Sequence, residues 1–233
     1  MASDSDTHPF KGVKPENHYV AFVDILGFGS QIERNFETML SVYENLVGDS
    51  QELHESLENT AAFLGMRLDV TLKVFSDAFL LTSSHLDGLI HAVKAIHMVT
   101  LFHDCLVRGG IAYGKHLEVN DSRNIYVVSQ ALVKAVGIEK KIRHPCVAIH
   151  DDVEIPGEWW DPACSNFQRG VLYFEGMRIV NPFNLFWGFS AMRRVRRLLD
   201  QYSQHSKKYQ WFLKLYEVVG SDIPLIPPNV GIS

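Results

Sequence analysis

The sequence predicts an α+β fold: a mostly antiparallel, ferredoxin-like sheet with helices on one face, followed by a C-terminal helical extension. Apolar strand-like runs and helical patterns alternate in the order strand, helix, hairpin, helix, strand. The chain has 233 residues and 46% hydrophobic content, which is enough to bury one sizeable core. Beyond that core, the last fifty residues turn helical and basic.

The first half of the chain contains a loose start, a central strand, a helix and a hairpin. Residues 1–17 carry Pro9 and Pro15 without periodicity, which predicts a flexible tail. Residues 18–24 are apolar on both faces of the predicted strand, which places that strand centrally in the sheet. A helical pattern follows, and then a hairpin, over these ranges: about 30–59 for the helix, and 66–75 and 78–83 for the two strands.

The second half continues with a helix that Ser84 or Asp87 is expected to cap. The next strand carries Gly109 and Gly110, which predict that its backbone packs closely against a neighbour. The predicted elements are a helix over about 89–101, a strand over 108–114, a helix over 129–143, a strand over 146–150, a hairpin over 171–180 and helical sequence to about 219. We therefore divide the chain into a tail (1–17), a globular domain (18–183) and a helical extension (184–233).

Composition excludes several classes of protein. The net charge of −5 and the pI of about 6.1 give no basic field that would favour nucleic acid. Three cysteines without CxxC spacing indicate a reduced chain, and the polar, acidic start is no signal peptide. The longest apolar stretch contains Lys94, Asp104 and three histidines, which does not fit a membrane span. We expect a soluble, cytoplasmic protein that binds neither nucleic acid nor membrane.

Two acids interrupt the apolar strands of the predicted sheet. Asp24 closes the first strand, and Asp77 lies at the tip of the hairpin. A carboxylate at the end of a buried strand is costly unless a cation meets it, and two such acids on neighbouring strands favour shared metal ions. This is how a two-metal phosphoryl-transfer site is built. Alternatively, each acid simply caps the turn that follows it.

Five segments resemble, in their order and spacing, the class III nucleotidyl cyclases. Phe-Val-Asp-Ile-Leu-Gly-Phe at 22–28 and Lys-Val-Phe-Ser-Asp at 73–77 resemble the two metal motifs of that family. Arg-Gly-Gly-Ile-Ala-Tyr-Gly at 108–114 and the helix at 131–139 resemble the following strand and helix, and 169–178 is a weaker match to the last hairpin. The resemblance implies the class III cyclase fold for the globular domain.

The compact form and the Ala-Leu-Val-Lys-Ala helix followed by Glu139 are most similar to the bacterial pyrimidine cyclases. This resemblance implies conversion of UTP to 3′,5′-cyclic UMP and diphosphate, with CTP as second choice, as a second messenger in anti-phage defence. It also implies a homodimer with shared active sites and a separate effector that responds to the cyclic nucleotide. The alternatives are a purine cyclase and a degenerate cyclase fold that binds a nucleotide as a sensor.

The same resemblance assigns the metal and phosphate contacts. Asp24, Asp77 and the backbone carbonyl of Ile25 are expected to hold two Mg²⁺ or Mn²⁺ ions. The segment after the first strand opens a helix whose free N–H groups can bind the β- and γ-phosphates. Its members are Gly27, Phe28 and Gly29.

The chain departs from the purine cyclases in the helix at 131–139. Purine cyclases place there an Asn and, four residues on, an Arg that steadies charge on the α-phosphate, whereas Val133 and Gly137 stand here. Lys134 and Gln130 project from nearly the same helix face one turn earlier, so each is expected to replace a missing side chain. If Lys134 is instead an ordinary solvated lysine, Arg143 or a partner-chain residue must supply the charge.

Two side chains are expected to read the base. Lys73 matches the place of a base-reading residue in purine cyclases, and Tyr126 falls near the companion place, where its ring would exclude a purine. Alternatively, Tyr126 is ordinary strand packing. The family's phosphate-binding lysine aligns with Met177, so Arg178, or alternatively Arg169, is expected to contact phosphate.

Overall fold

The computed structural model describes residues 10, 12–63, 68–120, 124–202 and 206–228. Within these ranges the strands are β1 (Glu16–Ile25), β2 (Val70–Phe75), β3 (Ala78–Ser83), β4 (Val107–Asn120), β5 (Ile125–Ser129), β6 (Val147–Ile149), β7 (Val171–Phe174) and β8 (Met177–Val180). The helices are α1 (Phe28–Arg34), α2 (Phe36–Phe63), α3 (Leu86–Phe102), α4 (Gln130–Lys141), α5 (Gly188–Gln201) and α6 (Ser206–Val219). Two short 3₁₀ turns, Gly157–Trp160 and Asn166–Gln168, precede β7.

The strands form one sheet in the order β2-β3-β1-β4-β6-β8-β7, with β5 paired to β4. β1 is antiparallel to both β3 and β4, and β4 is parallel to β6. The fold class predicted from the sequence is confirmed, since the sheet is mostly antiparallel and its first four strands follow the ferredoxin-like arrangement. β1 is an inner strand, as its two apolar faces predict.

Successive side chains of β1 point to opposite faces of the sheet. Ala21, Val23 and Ile25 are buried in the main core, together with the inner faces of α2 and α3. Val20, on the other face, packs with Ala131 of α4. The sequence predicts helices on one face, but α4 covers the second face, and α5 and α6 pack on that same face against Leu172 and Ile179.

Of the adjacent glycines Gly109 and Gly110 of β4, Gly110 allows this second layer. Gly110 is the partner of Phe22 in the β1–β4 register, so it lies on the face that α4 covers. A Cβ at Gly110 would lie 2.4 Å from the carbonyl oxygen of Ala135 and 2.6 Å from Cβ of Ile138. The close backbone contact predicted for these glycines is therefore present, and at Gly110 it allows α4 to pack directly against the sheet.

Some helix ends differ from the predicted ones. The helix expected over about 30–59 is two helices, broken at Asn35, whose side-chain oxygen accepts a hydrogen bond from the Thr38 N–H at 3.3 Å. Neither Ser84 nor Asp87 caps α3, because the N-cap residue is His85 and makes no capping hydrogen bond through its side chain.

The first residues of β1 and β2 also differ from the predicted ones. β1 begins at Glu16, inside the predicted tail over 1–17, whose residues 1–9 and 11 lie outside the described part of the chain. β2 begins at Val70, and the first two positions predicted for it, 66 and 67, lie outside the described residues as well.

The C-terminal helices share a second core with the last strands. Buried side chains of α5 and α6, among them Val195 and Phe212, pack with Leu172 of β7 and Ile179 of β8. Trp211 Nε1 donates a hydrogen bond of 2.7 Å to a carboxylate oxygen in the β7–β8 turn. The helical extension therefore packs against the sheet, while the boundary at residue 183 stays a prediction. In the part of the chain that the structure describes, no helix combines the length and apolar character needed to cross a membrane.

Candidate active site

Strand pairing brings the two predicted metal acids together. Asp24 is the partner of Ala78 in the β1–β3 register, and Asp77 immediately precedes Ala78 in the β2–β3 turn. The Ile25 N–H donates a 2.8 Å hydrogen bond to the Asp77 carbonyl, which fixes the turn against the end of β1. Ser76, the other turn residue, has a left-handed φ of 53°. The tight turn thus holds Asp77 beside Asp24.

The electrostatics of Asp24 reflect this proximity. Its pKa is raised from 3.8 to about 6 by burial first and then by the negative charges of Asp77 and Glu139. The positive charges of Arg108 and Lys208 act in the opposite direction. Because the remaining effect still disfavours the carboxylate, a further cation at this position would be stabilising.

Arg108 and Glu139 complete the site and were missed as site residues by sequence reasoning. Arg108 faces Asp24 across the β1–β4 register, and its Nη2 lies 3.6 Å from Asp24 Oδ2. The same nitrogen makes an ion pair with the buried carboxylate of Glu139 on α4. Both residues lie inside segments that carry the cyclase resemblance, so that resemblance was the available signal. The ion pair with Glu139 thus holds the Arg108 guanidinium beside the carboxylate of Asp24.

The residues fit a divalent ion in their chemistry. Asp24 and Asp77 supply two carboxylates that repel each other, and hard cations such as Mg²⁺ and Mn²⁺ prefer oxygen ligands. Among the described residues, no group of three or more His, Cys, Asp or Glu side chains is arranged to hold a metal ion. A metal here would therefore depend on the two acids together with backbone oxygen, for which Ile25 is the predicted source.

The predicted phosphate segment follows β1 directly. Gly27 is the N-cap of α1 with a left-handed φ of 81°, and Ser30 Oγ donates a 2.9 Å hydrogen bond to its carbonyl. Phe28 is buried and packs against Tyr43, whereas Gly29 is exposed. The Phe28 side chain is thus an anchor, and this segment can meet a ligand only through its backbone N–H groups.

Gln130 and Lys134 are the two residues of α4 that the sequence predicts for the site. Gln130 approaches Gly114, which pairs with His18, six positions along β1 from Asp24 and about 20 Å away. Lys134 Nζ makes a 2.7 Å ion pair with Asp152, a residue that follows β6. The structure therefore places Gln130 far from Asp24 in the same chain, and it pairs Lys134 with Asp152.

The predicted base readers are also separated. Lys73 forms an ion pair with Glu118, which lies on the same face of the β4–β5 hairpin as its partner Val127. Tyr126 pairs with the next residue of β4, so its ring points to the opposite face of that hairpin. The Tyr126 hydroxyl accepts a 3.2 Å hydrogen bond from Nδ2 of Asn124. Sequence reasoning missed Glu118, since nothing local marks it as the partner of a lysine 45 positions earlier.

The two arginines that are predicted to contact phosphate both donate hydrogen bonds to backbone carbonyls. Arg178 donates to the carbonyl of His150 and, at 2.7 Å, to that of Val153. Arg169 is buried and donates to three carbonyls, including that of Trp159 at 3.0 Å. Each guanidinium thus fixes a loop in this conformation, and a phosphate contact by Arg178 stays a prediction.

Several solved structures are similar to this chain. They include the adenylyl cyclase CyaB from P. aeruginosa (13% identity, 60% of this chain and 79% of that chain, TM-score 0.45) and the guanylyl cyclase Cya2 (12%, 75% and 96%, 0.45). A class III adenylyl cyclase-like ATP-binding protein from Pseudomonas aeruginosa is another (10%, 77% and 41%, 0.45). With identities this low and TM-scores below 0.5, these likenesses carry no functional argument of their own. No protein-family model and no curated protein matches the chain.

Proposed function

We propose that this chain is a class III-type nucleotidyl cyclase, which converts a nucleoside triphosphate into a 3′,5′-cyclic mononucleotide and diphosphate. The observation that carries the proposal is the meeting of Asp24 and Asp77 at one end of the central sheet, where the negative charge of Asp77 contributes to the raised pKa of Asp24. Paired carboxylates at strand ends are the ligands that metal-assisted phosphoryl transfer uses.

Asp24, Asp77 and the Ile25 carbonyl are the proposed ligands of two Mg²⁺ or Mn²⁺ ions. When bound, such ions lower the pKa of the ribose 3′-hydroxyl and neutralise the triphosphate. Arg108, held by Glu139, keeps a positive charge 3.6 Å from Asp24 and so orients that carboxylate for the ligand. The exposed N–H groups at the start of α1 are proposed to contact the β- and γ-phosphates.

Lys134 and Gln130 are proposed to act on the α-phosphate of the partner chain's substrate in a homodimer. Support comes from the distance between Gln130 and Asp24 within one chain and from exposed apolar side chains nearby: Val128 on β5 is 63% exposed and Val133 on α4 is 73% exposed. Exposed apolar side chains of this kind fit a contact between subunits. For Lys134 to meet substrate, its ion pair with Asp152 must open.

UTP is the proposed substrate, with CTP second. Lys73 offers donors and Glu118 offers acceptors, so the pair complements uracil, which presents a carbonyl oxygen beside a ring N–H. Tyr126 is proposed to exclude the larger purines, although its ring lies on the other face of the hairpin from Glu118. The same donor–acceptor pair also fits the edges of guanine and adenine, and this observation makes a purine triphosphate, GTP or ATP, the competing substrate.

A degenerate, nucleotide-binding sensor is the competing non-enzyme function. It is favoured by the engagement of Lys134 with Asp152 and of Arg178 with two carbonyls, because both cations proposed to contact phosphate already have partners. The intact acids favour the enzyme. A role in anti-phage defence and a separate effector that responds to the cyclic product complete the proposal, and these rest on the resemblance to bacterial pyrimidine cyclases. A cytoplasmic location is also proposed, on the basis of the cysteine spacing.

The test is to incubate the purified protein with UTP, CTP, ATP or GTP and Mn²⁺, and to identify the products by mass. We expect cyclic UMP from wild type and no product from Asp77→Ala. Cyclic AMP as the main product would replace the pyrimidine assignment with the purine one. Absence of any cyclic product, combined with measurable nucleotide binding, would establish the sensor instead.

A further inference from the structure

A cavity of about 250 Å³ lies between α3 and the segment 157–170. Its walls include His91 and Lys94 from α3, and Trp159 and Arg169 from the segment. Of the residues predicted from the sequence for the cyclase site, only Arg169 lines this cavity, and Arg169 is an alternative prediction for the phosphate contact. α3 packs on the sheet face that carries Ala21, Val23 and Ile25, which is opposite to the face of Asp24. The cavity is therefore separated from the metal acids by the sheet.

Two cations in this cavity have no acidic partner among the described residues. Lys94 has its pKa lowered from 10.5 to about 8 by burial, and its Nζ donates to the Arg169 carbonyl at 3.3 Å. Arg169 is 3% exposed and donates only to backbone carbonyls, while its buried Nε has no hydrogen-bond partner in the described structure. Buried cations without counterions are costly, and an anion would compensate them.

The acids at this cavity lie at its solvent side. Asp87 is half exposed and already pairs with His91, with Nδ1 3.3 Å from Oδ1. Glu158 lines the cavity but is exposed. Neither carboxylate forms an ion pair with Lys94 or Arg169 in the described structure. The buried side of the cavity is therefore positive, and the half-buried Trp159 adds an apolar wall.

We propose that this cavity binds a small ligand that carries a phosphate group, with a ring or other apolar portion against Trp159. Lys94 Nζ and Arg169 Nε, the one nitrogen of that guanidinium without a hydrogen-bond partner in the described structure, are the donors that would receive the phosphate, because ammonium and guanidinium groups form strong charge-assisted hydrogen bonds with it. The cavity is smaller than the usual site for drug-sized molecules, so the ligand is small. Such a ligand would join α3 to the segment that leads into β7.

The probes are inorganic phosphate and phenyl phosphate, without nucleotide or metal, and the readout is thermal unfolding of the full chain. At roughly 100 times its Kd, a ligand of the native state is expected to raise the Tm of wild type by about 8 °C. Phenyl phosphate is expected to bind more tightly than inorganic phosphate because its ring can pack on Trp159. Lys94→Met should abolish this stabilisation, and Lys115→Met, at an exposed lysine of β4, should retain it.

The Lys94→Met variant is expected to fold, and without ligand its Tm should equal or exceed that of wild type, because a desolvated charge is removed. No Tm increase of wild type with either phosphate would overturn the proposal. An equal increase in Lys94→Met and wild type would show adventitious binding elsewhere and also overturn it. Tighter binding of benzoate than of phenyl phosphate would refute the phosphate assignment.

Discussion

Replacing Asp24 by Asn should abolish turnover and stabilise the metal-free protein at neutral and alkaline pH. The pKa of Asp24 is raised from 3.8 to about 6, which at 1.4 kcal/mol per pKa unit corresponds to about 3 kcal/mol against the ionised form. A quarter of the side chain is exposed and screened by solvent, so we expect about 1–2 kcal/mol. For a chain of this size that is about 3–6 °C in Tm.

The stabilisation expected from Asp24→Asn depends on pH. The native pKa of Asp24 lies above the unfolded value, so the native state binds the proton more tightly and the penalty is absent below pH 3.8. It develops as the pH rises from 3.8 to about 6 and is complete above that value. The advantage of Asp24→Asn should therefore be full at pH 8 and vanish near pH 3.8.

The assay is thermal unfolding by circular dichroism with a chelator at pH 4 and pH 8, beside product formation with Mn²⁺. Asp200→Asn, at an exposed acid of α5, is the matched control and should behave as wild type. A lower Tm for Asp24→Asn at pH 8, or the same difference at both pH values, would refute the electrostatic reasoning. Normal product formation by this variant would refute the metal role of Asp24.

Three further predictions address the dimer, the base and the fold. Mixing Asp24→Ala with Lys134→Ala chains should restore about a quarter to a half of wild-type activity in vitro, since one of the two sites of each heterodimer is intact. Tyr126→Ala should raise the catalytic efficiency with ATP and GTP relative to UTP, whereas Lys73→Ala should lower that with UTP most, by roughly 1–3 kcal/mol. Gly110→Ala should destabilise the fold by about 1–3 kcal/mol in urea unfolding, because its Cβ would overlap the backbone of α4.

Each of these predictions has a control or a contrary result. A mixture as inactive as its two parents would exclude a shared site that uses Lys134. An unchanged ratio of efficiencies in both base variants would exclude Lys73 and Tyr126 as base readers. Gly137→Ala, in α4 with open space around its Cβ, should instead stabilise by about 0.5–1 kcal/mol, so equal destabilisation by both glycine variants would contradict the packing argument.

The parts of the site that follow from local sequence were predictable. The apolar pattern around Asp24 depends only on alternation along one strand, and it places that strand inside the sheet with the acid at its end. The hairpin with Asp77 at its tip is equally local. Because a hairpin strand next to β1 must bring its turn to the end of β1, the meeting of the two acids follows from the fold class alone.

The partners of the charged side chains were not predictable in this way. Arg108 pairs with Glu139 and Lys73 with Glu118, over separations of 31 and 45 positions. A sequence with 22 basic and 27 acidic residues offers many such pairs, and periodicity does not choose among them. The side of the sheet on which a helix packs is also nonlocal, so Gly110 indicated a close neighbour without showing that it was α4.

The sequence by itself determined the α+β order, the inner position of β1 and the pair of acids at its end. Only the tertiary structure decided that a guanidinium lies beside Asp24, that Gln130 is remote from Asp24 within one chain while Lys134 pairs with Asp152, and that two cations line a second cavity. The reason is physical: secondary structure follows from the period of neighbouring side chains, whereas charge interactions depend on distances that exist only after the chain has folded.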